Sequence, residues 1–349
     1  MFGFNASALD IILGIIVDLK ITGFLRSTII PNMMSKADSD ALFAAFKTTD
    51  LMFNMLIGGS IAAALIPVLS GYIAKGREKE GWKVVSSFIN TIFITMVIIS
   101  SLGMIFAPFV VSLTAPGYSK ETTELTIILT RILFPSVSFI MLAGLTNGVL
   151  NSYQRFAAAS YGPSIYNIGC VISILTFNKY GVDKVAFGIM LSALIYFLMQ
   201  LCFARKNIKY YTPKIYFKHP GYSRIIKLSI PSLLASSVVQ LNTVISQSYT
   251  SNFIDGSVTA LNNANDTWQL PYGIFAMGMG TALLPTLSEK LALGEKETFR
   301  KILNKGLRSV LFLTIPSGVG FVVLREEVIS AIYKWSGNFE AERIFPVRS

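Results

Sequence analysis

Long apolar runs alternate with short polar stretches along the whole chain. Nine runs read as hydrophobic helices, at roughly 9–33, 40–73, 84–113, 123–150, 158–177, 183–204, 224–253, 259–289 and 301–324. About 20 apolar residues span the hydrocarbon core of a bilayer as a helix, so the longest runs are expected to tilt or to project beyond it. Prolines lie in or at the ends of these runs at Pro67, Pro135, Pro163, Pro231, Pro271, Pro285 and Pro316. In a membrane they are tolerated where neighbours satisfy the freed carbonyls, and they mark bends.

One stretch occurs twice. SIAAALIPVLSGYIAKG, ending at Gly76, returns as GMGTALLPTLSEKLALG, ending at Gly294. At an offset of 218 residues, Ala64, Leu65, Pro67, Leu69, Ser70, Ala74 and Gly76 meet identical residues, seven in thirteen positions. A fixed period implies one structural unit used twice, as in transporter halves. The first unit holds six helices, and the run at 259–289 matches that at 40–73. A complete second unit would need three more helices and would end near residue 435, about one period on. The chain is therefore expected to be a fragment or a shortened form.

The basic residues sort by loop. Lys75, Arg77, Lys79 and Lys83 follow the second run; Arg205, Lys206, Lys209, Lys214 and Lys218 follow the sixth; Lys290, Lys296, Arg300 and Lys301 follow the eighth. The intervening loops are poor in basic residues. Such alternation places the even loops and the N-terminus in the cytoplasm. The expected organisation is an N-terminal six-helix lobe over 1–204, a basic cytoplasmic linker over 205–222, and a partial C-terminal lobe over 223–349.

Composition agrees with the pattern. Hydrophobic residues make up 52% and charged residues 14% of the 349, against about one quarter charged in soluble domains. The fold class expected is all-α: a polytopic membrane protein, a two-lobe helix-bundle transporter with an internal repeat. The net charge of +11 does not imply nucleic acid, because the basic residues sit in loops without an aromatic-interleaved groove. Cys170 and Cys202 lie in apolar runs without ligand spacing and read as small packing residues. With a single histidine, His219, and no nucleophile–base set or metal cluster in the sequence, neither an enzyme nor a cofactor is expected. No cleavable leader is evident, since Asp10 and Asp18 interrupt the first run.

Ionisable residues inside the runs carry the functional expectation, because each costs about 2.5–3.5 kcal/mol to insert and needs a partner or a wet cavity. They are Asp18, Lys20 and Arg26, then Asp40, Lys47 and Asp50, then Arg131 and Asp266. In one reading, Asp18 with Lys20 and Lys47 with Asp50 are pairs that fix packing or reach for the interface. In the other, Lys20, Arg26 and Lys47 line a cavity that attracts an anionic group. Arg26 suits a phosphate best, having a planar fork and no acid at i±3 or i±4. Polar residues at Gln240, Asn242, Thr243, Ser246 and Gln247, and from Asn262 to Gln269, are too many for a lipid-facing surface. They read either as polar contacts between helices or as the wall of a hydrophilic cavity.

At these positions the sequence resembles the MviN/MurJ family of lipid II flippases, within the multidrug/oligosaccharidyl-lipid/polysaccharide exporter superfamily. The resemblance is carried by TGFLRS at 22–27, SDALFAAFK at 39–47, ALIPVLSGY at 64–72 and APFVVSLTAPGYS at 107–119. It continues through NGVLNSYQRFAAASYGPSIYNI at 147–168, QLPYGIFAMGMGTALLPTLS at 269–288 and Gly337-Asn338-Phe339. It implies two six-helix lobes about a central cavity, two further helices, and movement of an undecaprenyl-diphosphate-linked peptidoglycan precursor across the cytoplasmic (inner) membrane. By position it makes Lys20, Arg26, Asp40, Lys47, Asp266 and Gln269 substrate-binding candidates. Two departures stand out. TDLMFN replaces a PNLLRR-like segment, so Phe53 and Asn54 stand in place of a basic pair. ANDTWQLP replaces an ADRLYQLP-like one, so Asp266 stands where an arginine is expected. Asp266 is then expected to pair with Lys20 or Lys47.

The function expected is a flippase for a polyprenyl-diphosphate-linked saccharide working by alternating access. Its partners are that lipid-linked substrate and membrane lipids, with no nucleic acid. The alternatives are a cation-coupled exporter of amphipathic small molecules, or a membrane protein that no longer transports.

Overall fold

The structure, a computed structural model, describes residues 22–56, 64–277, 279, 283, 287, 290 and 294–334. No strand occurs among them. The helices in chain order are α1 (22–33), α2 (Lys36–Leu56), α3 (Ile66–Ala74), α4 (Glu78–Ile105), α5 (Ala107–Thr114) and α6 (Lys120–Ser152). They continue as α7 (Phe156–Phe177), α8 (Val182–Ala204), α9 (Pro220–Thr250), α10 (Ser257–Pro271), α11 (Lys296–Val323) and α12 (Arg325–Tyr333). Four of these, α4, α6, α8 and α11, are long and apolar enough to cross a membrane. At 1.5 Å per residue, the 28-residue α4 is about 42 Å long.

Several helix starts follow from short polar signals. Ser35 and Asp38 form a reciprocal cap at α2: the Asp38 amide donates to Ser35 Oγ at 3.1 Å and that hydroxyl donates to Asp38 Oδ2 at 2.8 Å. Ser119 caps α6 by accepting from the Thr122 amide at 3.2 Å. The run at 84–113, expected as one helix, is two. The chain breaks at Phe106, and Pro108 follows at once. Proline has no N–H to give the carbonyl four residues back. That carbonyl, on Met104, instead accepts from Arg131 Nε at 3.2 Å. Arg131 is thereby accounted for as an exposed side chain completing a helix end.

The chain forms two compact units, one running Met33–Thr259 and the other combining the residues up to Asn32 with those from Ala260 onward. In the Met33–Thr259 unit, α6 is the central helix and packs on α2, α4 and α8. Its apolar core joins Leu65, Leu69, Trp82, Phe88, Met96, Met141 and Ile225. Small residues bring α7 and α8 together. A Cβ on Gly169 would fall 2.6 Å from Ser192 Oγ, and one on Gly188 would fall 2.7 Å from Ser173 Oγ. Gly169-xxx-Ser173 and Gly188-xxx-Ser192 thus form the small-xxx-small contact used by membrane helices. The outer faces are apolar and exposed: along α9 they read Ile230, Leu234, Val238, Leu241, Ile245 and Tyr249. This inverts a soluble protein and suits lipid.

In the other unit, Phe24 of α1 packs edge-to-face on Tyr333 of α12 at 6.1 Å. Tyr333 is fully buried and donates to the Asn263 carbonyl at 3.0 Å. A Cβ on Gly306 would meet Leu283, which seats α11 there.

The repeat is visible in backbone geometry within each unit. Gly76 has φ +69° and Gly294 φ +72°. The amide of Arg77 bonds the Tyr72 carbonyl, and that of Glu295 bonds the Lys290 carbonyl, the same bond 218 residues on. Both turns need a residue with positive φ, where glycine carries no Cβ penalty. The following helices, α4 and α11, are both 28 residues long. Pro285, the counterpart of Pro67, lies outside the described residues.

Candidate functional site

Asp40 lies in the second turn of α2, a helix whose neighbouring positions Ala41, Leu42, Ala44 and Ala45 are fully buried. Its own side chain is 1% exposed. A buried carboxylate requires donors, and the start of α10 supplies them. Asp40 Oδ2 accepts from the Gly256 amide at 2.6 Å; Oδ1 accepts from the Thr259 amide at 2.8 Å and from the Thr259 hydroxyl. The first amides of a helix have no intrahelical acceptors and carry the positive end of its dipole, so an anion is stabilised there. The same region is tied twice more. Tyr118 donates its hydroxyl to the Asp40 carbonyl at 3.2 Å, and the Gly117 amide donates to Ser251 Oγ at 3.2 Å. Asp40, the α5–α6 turn and the α9–α10 turn therefore form one knot.

Lys47 sits two turns further along α2, half-buried. It lines a narrow crevice with Thr48, Thr114 of α5, and Gln240, Thr243 and Gln247 of α9. These α9 residues recur at i, i+3 and i+7, so one polar face of that helix turns inward. The crevice has about 10 Å³ open to a water centre, room for one water. Gln247 is 4% exposed, and its Nε2 has no hydrogen-bond partner among the described residues. A lysine beside an unfilled amide donor makes a donor-rich spot suited to a water or to an acceptor group of a ligand.

The remaining candidates are placed less tightly. Arg26 on α1 is half-buried and engaged by its surroundings. On α10, Asp266 and Gln269 are half-buried, beside buried Asn262, Asn263 and Thr267. Of the expected polar face of α9, Gln240, Thr243 and Gln247 turn to the crevice, whereas Asn242 and Ser246 are exposed. Lys20 and the side chains of Asp50, Phe53 and Asn54 lie outside the described residues. Sequence reasoning missed Gly256, Thr259 and Thr114. The signal was present for the first two, since a glycine ahead of Ser-Val-Thr marks a helix start whose amides need acceptors.

A profile of the family described as lipid II flippase MurJ matches residues 32–348. Among curated proteins, the lipid II flippase MurJ of Burkholderia cenocepacia is 25% identical over 335 residues, covering 93% of this chain and 65% of its own length. A Buchnera aphidicola protein described as "Probable lipid II flippase MurJ" is 27% identical over 326 residues, covering 92% of this chain and 64% of its own. The chain thus spans about two thirds of these relatives, or slightly less. A solved lipid II flippase MurJ in an inward closed conformation superposes with a TM-score of 0.77 at 27% identity, over 93% of this chain and 68% of that one. An inward-facing multidrug resistance MATE family transporter of the MOP superfamily superposes at 0.71 with 16% identity, over 94% and 74%, a likeness of fold. The chain has the all-α fold of a polytopic membrane transporter.

Proposed function

We propose, from the premise that this chain belongs to the lipid II flippase MurJ family, that it translocates a polyprenyl-diphosphate-linked peptidoglycan precursor. The observation that supports this most directly is Lys47, a half-buried cation on the polar inner face of a helix bundle whose outer faces are apolar. Arg26 and Lys20 would add positive charge for the diphosphate, through bidentate and point-charge contacts. Asp40 has both oxygens committed to the α10 start, so its part is to hold that end of the bundle shut until transport releases it. On this reading the internal repeat supplies the moving bodies, 1–204 and 223–349 joined by 205–222, although in this structure α9 packs on α2 and α4 within one compact unit.

The test is rescue of growth in cells depleted of their own flippase. The chain should restore growth, and Lys47→Met should fail at equal membrane abundance. Rescue by Lys47→Met would remove Lys47 from the substrate path. Failure of the unaltered chain, inserted and folded, would overturn the function.

A second reading, export of an amphipathic cation, is favoured by half-buried Asp266 in the position where the family resemblance implies arginine. Cation-dependent dye efflux abolished by Asp266→Asn would select it. The proposal also places the protein in the cytoplasmic membrane with the basic loops and the N-terminus inside. An impermeant maleimide should label Lys206→Cys, in a background lacking Cys170 and Cys202, only after the cells are permeabilised.

A further inference from the structure

At the end of the Met33–Thr259 unit that carries the basic loops, a pocket of about 220 Å³ opens at the surface. It is lined by Pro67, Val68, Tyr72, Lys75, Arg77 and Arg224, among others. Three cations therefore converge from three segments: the end of α3, the Gly76 turn and the second turn of α9. Arg77 is bonded to Glu80 through Nε at 2.7 Å and through Nη2 at 2.6 Å. Neither Lys75 nor Arg224 has a carboxylate within 4 Å among the described residues. Among the described residues, two of the three pocket cations have no carboxylate in contact.

The wall between them is built. A Cβ on Gly81 of α4 would fall 2.6 Å from Tyr72 Cβ, and one on Gly221 of α9 would fall 2.8 Å from the Tyr72 hydroxyl. Two glycines thus make the space in which the Tyr72 side chain is seated. The Arg77 guanidinium stands 5.9 Å from the Tyr72 ring centre, within cation–π range. The linker is fixed to α4 as well. Asn90 Nδ2 donates to the Thr212 and Lys214 carbonyls at 3.0 and 3.1 Å, and the Thr212 and Tyr216 amides donate to Ser86 and Ser87 Oγ.

We propose that this pocket holds the phosphate of an anionic membrane lipid. It lies where the span α4 passes into polar loops, the level at which headgroups sit. Its volume is below the 300–1,000 Å³ usual for drug-sized ligands, so it suits a phosphate and the start of its glycerol, with the acyl chains outside. A lysine and an arginine fork without acids match a phosphodiester in charge and in donors. The pocket is separate from the Lys47 crevice, and the inference does not depend on what the protein transports.

The experiment is native mass spectrometry of the full chain in neutral detergent, titrated with phosphatidylglycerol, with phosphatidylcholine as the uncharged comparison. Lys75→Gln with Arg224→Gln should weaken phosphatidylglycerol binding about thirtyfold, at about fivefold per interfacial cation removed. Lys206→Gln with Lys218→Gln, an equal charge change in the linker outside the pocket lining, should leave it within about twofold, as surface changes away from a site do. Equal weakening by both pairs would overturn the site, leaving only diffuse surface charge. Displacement of the lipid by excess inorganic phosphate would overturn the lipid as its occupant and assign the pocket to free phosphate.

Discussion

The α4–α5 and α11–α12 segments share one backbone and have opposite surroundings. Both follow a left-handed glycine, both begin with a helix of 28 residues, and both break before a short second helix. The residues at the break, Phe106 and Leu324, have similar angles of −90°, 13° and −102°, 28°. Pro108 follows the first break and no proline follows the second, so proline alone does not set it. Yet α4 buries Trp82, Val84, Val85, Phe88 and Met96, while among the described residues of α11 only Gly306 is buried. Phe312 of α11 is 78% exposed. The offset of 218 explains both facts: Phe88 corresponds to Gly306, and Trp82 to Arg300. Local sequence repeated the chain path, and residue size and polarity diverged with the surroundings.

The largest test of that contrast is truncation of an apolar side chain in each copy. Phe88→Ala should cost about 3–5 kcal/mol through the cavity it leaves. Phe312→Ala should stay within about 0.5 kcal/mol, as exposed sites do. Reversible unfolding in mixed micelles measures both, and similar losses would contradict the difference in burial.

Asp40→Ala should come next, at about 3 kcal/mol, because it strands buried donors that a charged acceptor had satisfied. Maleimide labelling of Ser257→Cys at the α10 start should rise in the same variant. Unchanged labelling would mean that the knot is held by Tyr118 and Gly117 instead.

Gly76→Val and Gly294→Val should each cost about 1–3 kcal/mol, the range for a non-glycine residue held at positive φ. Among the described residues neither position has an atom within 4 Å of an added Cβ, so backbone conformation is the main penalty. Equal costs would sharpen the likeness of the two copies. A clear difference would show that one turn is relaxed by its surroundings.

Arg77→Ala should be the smallest, between 0 and about 1 kcal/mol, since the Arg77–Glu80 pair is more than half exposed on the arginine side and screened by solvent. A larger loss would mean that Arg77 acts chiefly through its contact with Tyr72.

Much of the helical pattern was legible because apolar runs are local, and the repeat paired Gly76 with Gly294. The caps at Ser35 and Ser119 emerged only in the structure, where α2 and α6 begin a few residues before the runs that announced them. The break at Phe106 was missed: hydropathy reads 84–113 as one run and does not register a change of direction, and the signal it offered, Pro108, was passed over. Lys47 was legible as a charge out of place. Its crevice was not, because Thr114 and Gln247 are ordinary polar residues until α5 and α9 are brought beside α2.

By itself the sequence determined a polytopic helical fold, its internal period and the loops that carry positive charge. These depend on side-chain polarity and on chain path over one or two turns. The tertiary structure decided the partners of each charge. Asp40 reads as an intramembrane acid in the sequence, and it becomes the acceptor for α10 only when residues 216 and 219 positions away supply their amides. Lys75 reads as a loop cation and Arg224 as the first residue of the seventh run, 149 positions apart by number. They line one pocket because Gly81 and Gly221 let Tyr72 pack between α4 and α9. A hydrogen bond or an unpaired charge depends on separations of a few ångströms, and spacing along the chain does not encode separations between distant segments.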